Sequence, residues 1–421
     1  MQKIASKAHN IWHPFTQMKL AAEPIKIKSA KGTILHTEDG REIIDAISSW
    51  WVTLHGHSHP YIAEKVKEQL LKLDHCIFAD FTHSPAETLI ERLMAHLPSE
   101  MSKAFFSDNG STAVEVAIKM AIQYWHNQGI KKPKFIALQG AYHGDTFGAM
   151  SAAERSPFSA AFDDYLFDVT HLSPPKSETD IEEFKALCES GEVGALIYEP
   201  LLQGAGGMVM YSSDGLNEWL KIAKANKVIC IADEVMTGFY RTGTFFASLQ
   251  METQPDIICL SKGLTGGVLP MSLTVCNDKI YEAFWSDDKM KTFFHGHSFT
   301  GNPIGCATAL ASLDILEKEE TQVAIKRIIA SHSNFAEELK QSSKVENVRT
   351  LGTVIAFDVI NDGEAGYFNK NRDALYKAFL DKGVLLRPLG NVVYILAPYS
   401  ISDAELKKVY GVIREVVTEK M

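Results

Sequence analysis

Short, almost uninterrupted apolar runs alternate along the middle of the chain with longer stretches in which apolar residues recur every three or four positions. The runs at 135–138, 195–198, 228–232 and 257–260 carry scarcely a polar residue. That is the pattern of strands covered on both faces, as in a mostly parallel sheet. Residues 103–107 predict a further strand. From Gly110 to Asn127 the spacing changes, and Val114, Ala117, Ile118 and Ala121 fall on one face of a helix. The alternation predicts an α/β fold with a large domain over residues 55–305.

The ends read differently. Within 34–45, Glu38-Asp39-Gly40 supplies turn chemistry, so a hairpin is expected there. Residues 320–421 mix two helical patterns with short strands such as 392–396. Residues 1–54 and 306–421 are therefore assigned together to one smaller α+β domain. No internal repeat or low-complexity tract is visible, and Pro174-Pro175-Lys176-Ser177 is a loop.

Composition narrows the function. At 421 residues, 46% hydrophobic and 22% charged, the chain is ordinary for a globular protein of two or three domains. It is long enough to bury a large core without disulfides or structural metals. A formal charge of -10 argues against nucleic acid and against an anionic membrane surface. None of the six cysteines forms a Cys-x-x-Cys pair, and four follow or interrupt apolar runs, as buried thiols do. Met1-Gln2-Lys3-Ile4-Ala5-Ser6-Lys7 lacks the apolar core of a signal peptide, and no apolar run reaches the roughly 18 residues that span a bilayer. A soluble, reducing, cytoplasmic setting is the default expectation.

Chemistry gathers at strand ends. Asp233 closes one apolar run and Lys262 follows another, and open parallel sheets bind ligands at the carboxyl ends of their strands. A cofactor with a pyridine ring and an aldehyde needs such a pair: a carboxylate for the ring nitrogen, and an amine that bonds the aldehyde and later carries a proton. Taken alone, two strand-end charges are more often a salt bridge or unrelated surface groups. Gly110, Ser111 and Thr112 open the long helix, where free N–H groups and the dipole favour a phosphate, although taken alone a plain helix cap is the favoured reading. Neither a dinucleotide glycine fingerprint nor a Walker lysine is present, so nicotinamide-dependent oxidoreduction fits poorly.

Tyr142, in Gly140-Ala141-Tyr142-His143-Gly144-Asp145, follows a strand and can stack on a planar ring. The loop from Phe294 to Pro303, with Gly296, His297 and Ser298, is a second phosphate candidate. His55, His57, His59, His295 and His297 lack a companion carboxylate or cysteine cluster, so no metal is assigned and they read as loop histidines. Trp50 and Trp51 suit a core, an interface or an apolar channel wall. Arg387 can grip a carboxylate in a bidentate manner, or form a surface salt bridge.

These segments together resemble the fold-type-I, class III aminotransferases over nearly the whole chain. The strongest likeness lies in Ile231-Ala232-Asp233-Glu234-Val235-Met236-Thr237-Gly238 followed by Leu260-Ser261-Lys262-Gly263-Leu264. Within that family, Trp12-His13-Pro14-Phe15, Ser48-Ser49-Trp50-Trp51 and Glu199-Pro200-Leu201-Leu202-Gln203-Gly204 resemble the branch that serves biotin synthesis. The resemblance implies pyridoxal 5′-phosphate as cofactor, Lys262 as the catalytic residue, and Gly110, Ser111, Tyr142, Asp233 and Val235 as cofactor contacts. It implies a homodimer in which His297 and Ser298 reach the partner's phosphate. Phe15, Trp50, Trp51, Tyr142, Asp145, Lys262, Gly296, Arg387 and Tyr394 are expected to line the substrate site, with Arg387 on the distant carboxylate.

The expected substrates are 8-amino-7-oxononanoate as acceptor and S-adenosylmethionine, or in some relatives lysine, as donor. Relatives that use 2-oxoglutarate carry a Glu–Arg switch, and the matching positions here are Ala205 and Tyr394. Phe15 stands where the family often has Tyr, which removes a hydroxyl beside the donor. An aminotransferase for another ω-amine and a non-catalytic relative of the fold are the competing expectations.

Overall fold

The computed structural model describes residues 10–360 and 371–419; the reading of residues 1–7, and part of the stretch 306–421, lie outside these. Seven strands form the central sheet, in the spatial order Met101–Ser107, Ser272–Asn277, Ile257–Leu260, Ile229–Asp233, Val193–Tyr198, Lys134–Leu138, Thr170–Leu172. Six run in one direction, and Ser272–Asn277 opposes both of its neighbours.

Alternate side chains of the same strand serve two separate cores. Ile136, Leu138, Leu196, Cys230 and Leu260 pack on one side. Phe135, Ala137, Ile197, Ile231 and Ile257 pack on the other, with the helix Gly110–Asn127. Both faces being covered is why the runs read as continuously apolar. The predicted helix face is buried throughout: Val114, Ala117 and Ala121 are 0% exposed and Ile118 is 2%.

Two expected strands gain company that the apolar pattern did not indicate. Ser272–Asn277 carries buried hydroxyls: Ser272 Oγ lies 2.8 Å from Ser107 Oγ, and Thr274 Oγ1 donates to the Ala113 carbonyl at 2.8 Å. Its polar residues are satisfied only inside the fold. Thr170–Leu172 is a three-residue edge strand, too short for a period to show.

The expected hairpin is present, with Ile34–Thr37 antiparallel to Glu42–Asp45. The distant strand Val384–Leu385 joins the same sheet, parallel to Glu42–Asp45. A three-stranded antiparallel sheet holds Val345–Leu351, Val354–Val359 and Val392–Ile395. Segments from both ends of the chain thus share one layer. Among the described residues, no helix is long and apolar enough to cross a membrane.

Candidate active site

Parallel strands bring their carboxyl ends to one edge of the sheet. Asp233 pairs in register with Cys259, three residues before Lys262, so the acid and the amine emerge side by side. Lys262 has φ +44°, a left-handed backbone that L residues avoid and that marks strain. Its Nζ sits 4.7 Å from the Trp51 ring centroid and has no hydrogen bond or ion pair among the described residues. Burial pushes the ammonium down to about 8, against the opposing pull of the Asp233 and Glu199 charges.

Asp233 is 5% exposed. Its Oδ1 accepts from the Val235 amide at 3.1 Å, and its Oδ2 lies 2.7 Å from His143 Nδ1. The other ring nitrogen, His143 Nε2, is buried with no partner among the described residues. Glu199 follows the strand Val193–Tyr198 and accepts from two loops at once, from the Tyr142 amide at 3.3 Å and the Gly204 amide at 2.9 Å. Burial pushes its carboxyl up to about 7, with His143 pulling the other way. Tyr142 is raised above the usual phenol range by burial first and by Asp145 next.

The opening of the helix Gly110–Asn127 is packed by absence of side chain. Gly110 does not need a left-handed backbone, as freedom of conformation would suggest; it needs space, because a Cβ there would lie 2.7 Å from Val235 Cγ1. Asn109 and Thr112 form a capping box. Ser111 is therefore not the cap; its Oγ bonds Thr146 Oγ1 at 2.7 Å and accepts from the Thr146 amide at 3.0 Å. Gly144, at φ +127°, lies against Ser111, and a Cβ there would come within 2.8 Å of the Ser111 Cα.

Beyond Lys262 the wall is aromatic. Trp51 Nε1 donates to the Tyr394 hydroxyl at 2.9 Å, and the Gly204 turn packs on the Trp51 ring, where a Cβ would meet Cζ3 at 3.2 Å. Trp50 turns the other way. The Arg387 guanidinium lies 5.1 Å from its ring centroid, and Phe15 lies 5.6 Å away, edge on. Arg387 thus stacks on an aromatic ring.

Gly110, Ser111, Tyr142, Asp145, Asp233, Val235, Lys262, Trp51 and Tyr394 are brought together by these contacts, with Trp50, Phe15 and Arg387 adjoining. Gly296, His297 and Ser298 are not: among the described residues, no hydrogen bond or ring contact links them to Asp233, Tyr142 or Lys262. Their loop packs elsewhere, with His295 Nδ1 2.9 Å from Lys119 Nζ and its ring 6.0 Å from Phe105. His143 and Glu199 act through contacts that no single motif signalled; Glu199 directly follows the strand Val193–Tyr198 and His143 lies in the loop after Lys134–Leu138.

A sheet of this order with an acid and an amine at neighbouring strand ends defines a fold-type-I transferase. The class III aminotransferase profile matches residues 17–417. The adenosylmethionine-8-amino-7-oxononanoate aminotransferase of Synechococcus elongatus is 46% identical over 97% of this chain and 99% of its own. That of Helicobacter pylori is 38% identical over 97% and 96%. Among solved structures, the enzyme of that name from Methanocaldococcus jannaschii superposes with TM-score 0.91 at 36% identity, covering 96% of this chain and 97% of that one. An amine transaminase from an uncultivated Pseudomonas species, in its PLP-bound form, gives 0.90 at 27% identity over 99% of both chains. The chain belongs to the class III aminotransferase family, and it is an enzyme of that kind.

Proposed function

We propose that the protein transfers an amino group to the ketone of 8-amino-7-oxononanoate, giving 7,8-diaminononanoate for biotin synthesis, with S-adenosylmethionine as donor. The observation that carries the chemistry is the buried Asp233 carboxylate beside the unpaired Lys262 amine at the ends of adjacent parallel strands. The residues fit pyridoxal 5′-phosphate. Asp233 can hold a protonated ring nitrogen, Ser111 and the N–H groups that open the helix Gly110–Asn127 can hold a phosphate, and Tyr142 and Val235 can flank a planar ring. When bound, that cofactor supplies an electron-withdrawing ring and the aldehyde that accepts the amino group.

The chain's own groups do the rest. Lys262 Nζ takes the α-proton of the donor amine, and in the second half returns a proton to the acceptor carbon. A lysine near 8 has a usable fraction of free amine at neutral pH, which one near the ordinary 10.4 does not. His143 fixes the Asp233 carboxylate. Trp51 and the Gly204 turn exclude water from the side of Lys262. Arg387, over the Trp50 ring, holds the far carboxylate of the acceptor.

The reading includes a cytoplasmic homodimer, in which His297 and Ser298 complete the partner's phosphate site. The exposed Phe294 and Phe299 rings on the same loop support it, as apolar surface that a partner would cover. It also includes the division into a large domain, 55–305, and a small one built from both termini.

The test is a pair of half-reactions followed by absorbance on cofactor-loaded protein. S-adenosylmethionine should bleach the visible band and 8-amino-7-oxononanoate should restore it. A band that answers only to lysine reassigns the donor. A band that the keto acid cannot restore rejects the acceptor and leaves an aminotransferase for another amine.

A further inference from the structure

The tryptophan pair stands on a backbone that non-glycine residues avoid. Ser48, Ser49 and Trp51 have φ of 52°, 59° and 68°, with Trp50 between them at φ -146° and ψ 56°. Strain of this kind persists only where the surroundings over-determine it. Two buried charged side chains do so. Asp45, 0% exposed, accepts at Oδ1 from the Ile47 amide at 3.2 Å and the Ser49 amide at 2.9 Å. Its Oδ2 accepts from Ser49 Oγ at 2.9 Å and lies 2.9 Å from His57 Nε2. Arg241, 1% exposed, donates to Ser48 Oγ at 3.0 Å and to the Ala397 carbonyl at 3.0 Å.

The turn so fixed sends the two indoles to different partners. Trp51 faces Lys262 and Tyr394. Trp50, directly after Ser49, which Asp45 holds by both its amide and its hydroxyl, faces Arg387 and Phe15. None of the groups that bind Asp45 belongs to the lysine side of the site.

We propose that Asp45 is a positioning residue for amino transfer: through Ser49 it holds Trp50 as the platform on which the Arg387 guanidinium lies, and so sets the grip on the acceptor's carboxylate. The proposal rests on the reading that Arg387 binds that carboxylate. Asp45 itself touches neither substrate nor cofactor.

The experiment compares unmodified holoenzyme with Asp45→Asn and Ser49→Ala, measuring KM and kcat for each substrate together with Tm. Asn keeps one oxygen for the two amides but replaces the acceptor of Ser49 Oγ with an amide nitrogen. The expected result for Asp45→Asn is an acceptor KM raised about tenfold, the worth of one charge-assisted hydrogen bond, with kcat and the donor KM nearly unchanged. Ser49→Ala, which keeps the whole Asp45 carboxylate and its amide bonds, should raise the acceptor KM about threefold; it decides alone if Asp45→Asn does not fold. A lowered Tm with both KM values unchanged overturns the proposal and leaves Asp45 a structural residue. Equal rises for donor and acceptor overturn it as well. Unmodified enzyme that fails to turn over 8-amino-7-oxononanoate overturns the functional reading first, and this proposal with it.

Discussion

A single methyl group at Gly144 should cost the enzyme its hold on the cofactor. Gly144 sits at φ +127°, a conformation that costs a side-chain-bearing residue about 1–3 kcal/mol. The new Cβ would also come within 2.8 Å of the Ser111 Cα, so backbone, not a flexible tip, has to give way. Ser111 Oγ is tied to Thr146 by two hydrogen bonds, at 2.7 and 3.0 Å, each worth about 0.5–1.5 kcal/mol. The perturbation therefore totals about 2–6 kcal/mol. If only about 2 kcal/mol of it falls on cofactor binding, Kd rises about thirtyfold. The assay is an absorbance titration of cofactor-free Gly144→Ala with pyridoxal phosphate. Gly129→Ala is the control: it too has a positive φ, +69°, but nothing lies within 4 Å of its Cβ, so it should lose stability without losing cofactor affinity. A Gly144→Ala protein that binds the cofactor as tightly as the unmodified one would refute both the crowding argument and the role given to Ser111.

Arg387→Ala should raise the acceptor KM by about 10- to 150-fold, the range of a charge-assisted pair, and leave the donor half-reaction intact; an effect on the donor alone would remove Arg387 from the acceptor site. In cofactor-free protein, labelling of Lys262 by an amine reagent should follow a midpoint near pH 8 rather than the ordinary lysine range, because burial destabilises the ammonium and the reactive amine appears above that pH. Glu199→Gln removes a charge that supports the ammonium, so the same midpoint should move to lower pH, and an unchanged midpoint would show that Glu199 carries no charge there. 2-Oxoglutarate should be a poor acceptor, measured as kcat/KM against 8-amino-7-oxononanoate; comparable values would contradict the charge layout of the site.

The elements legible in the sequence were those whose burial is uniform. Ile229–Asp233 and Ile257–Leu260 are covered on both faces, so every position is apolar and the tips stand out as the first polar residues. Lys262 and Asp233 were visible for that reason. Ser272–Asn277 was not, because its hydroxyls look polar until Ser107 and the Ala113 carbonyl are placed opposite them. His143 carries no signal of its own in the sequence; its meaning lies in a contact with Asp233, 90 positions away. The sequence places Gly110 at the opening of the helix but does not show why it is glycine, since that depends on the Val235 side chain lying where a Cβ would be. Asp45 ends a short strand and gave no signal at all, because nothing in a sequence reveals that the residues after it will need holding in a left-handed turn.

The distribution of charge around Lys262 also bears on which substrates the site can serve. On one side of the amine stand Asp233 and Glu199, both buried. On the other stand Trp51, whose indole N–H is taken by Tyr394, and the Gly204 turn with the Ala205 methyl after it. A carboxylate close to the reacting ketone would meet acids on the first side, and on the second the Trp51 ring, with the buried Arg241 guanidinium turned to the Trp51 carbonyl at 3.5 Å. Arg387 lies beyond Trp50 rather than beside Trp51. On the proposed reading, Arg387 is set apart from Lys262 and suits an acceptor that carries its carboxylate at the far end of an apolar chain from the ketone.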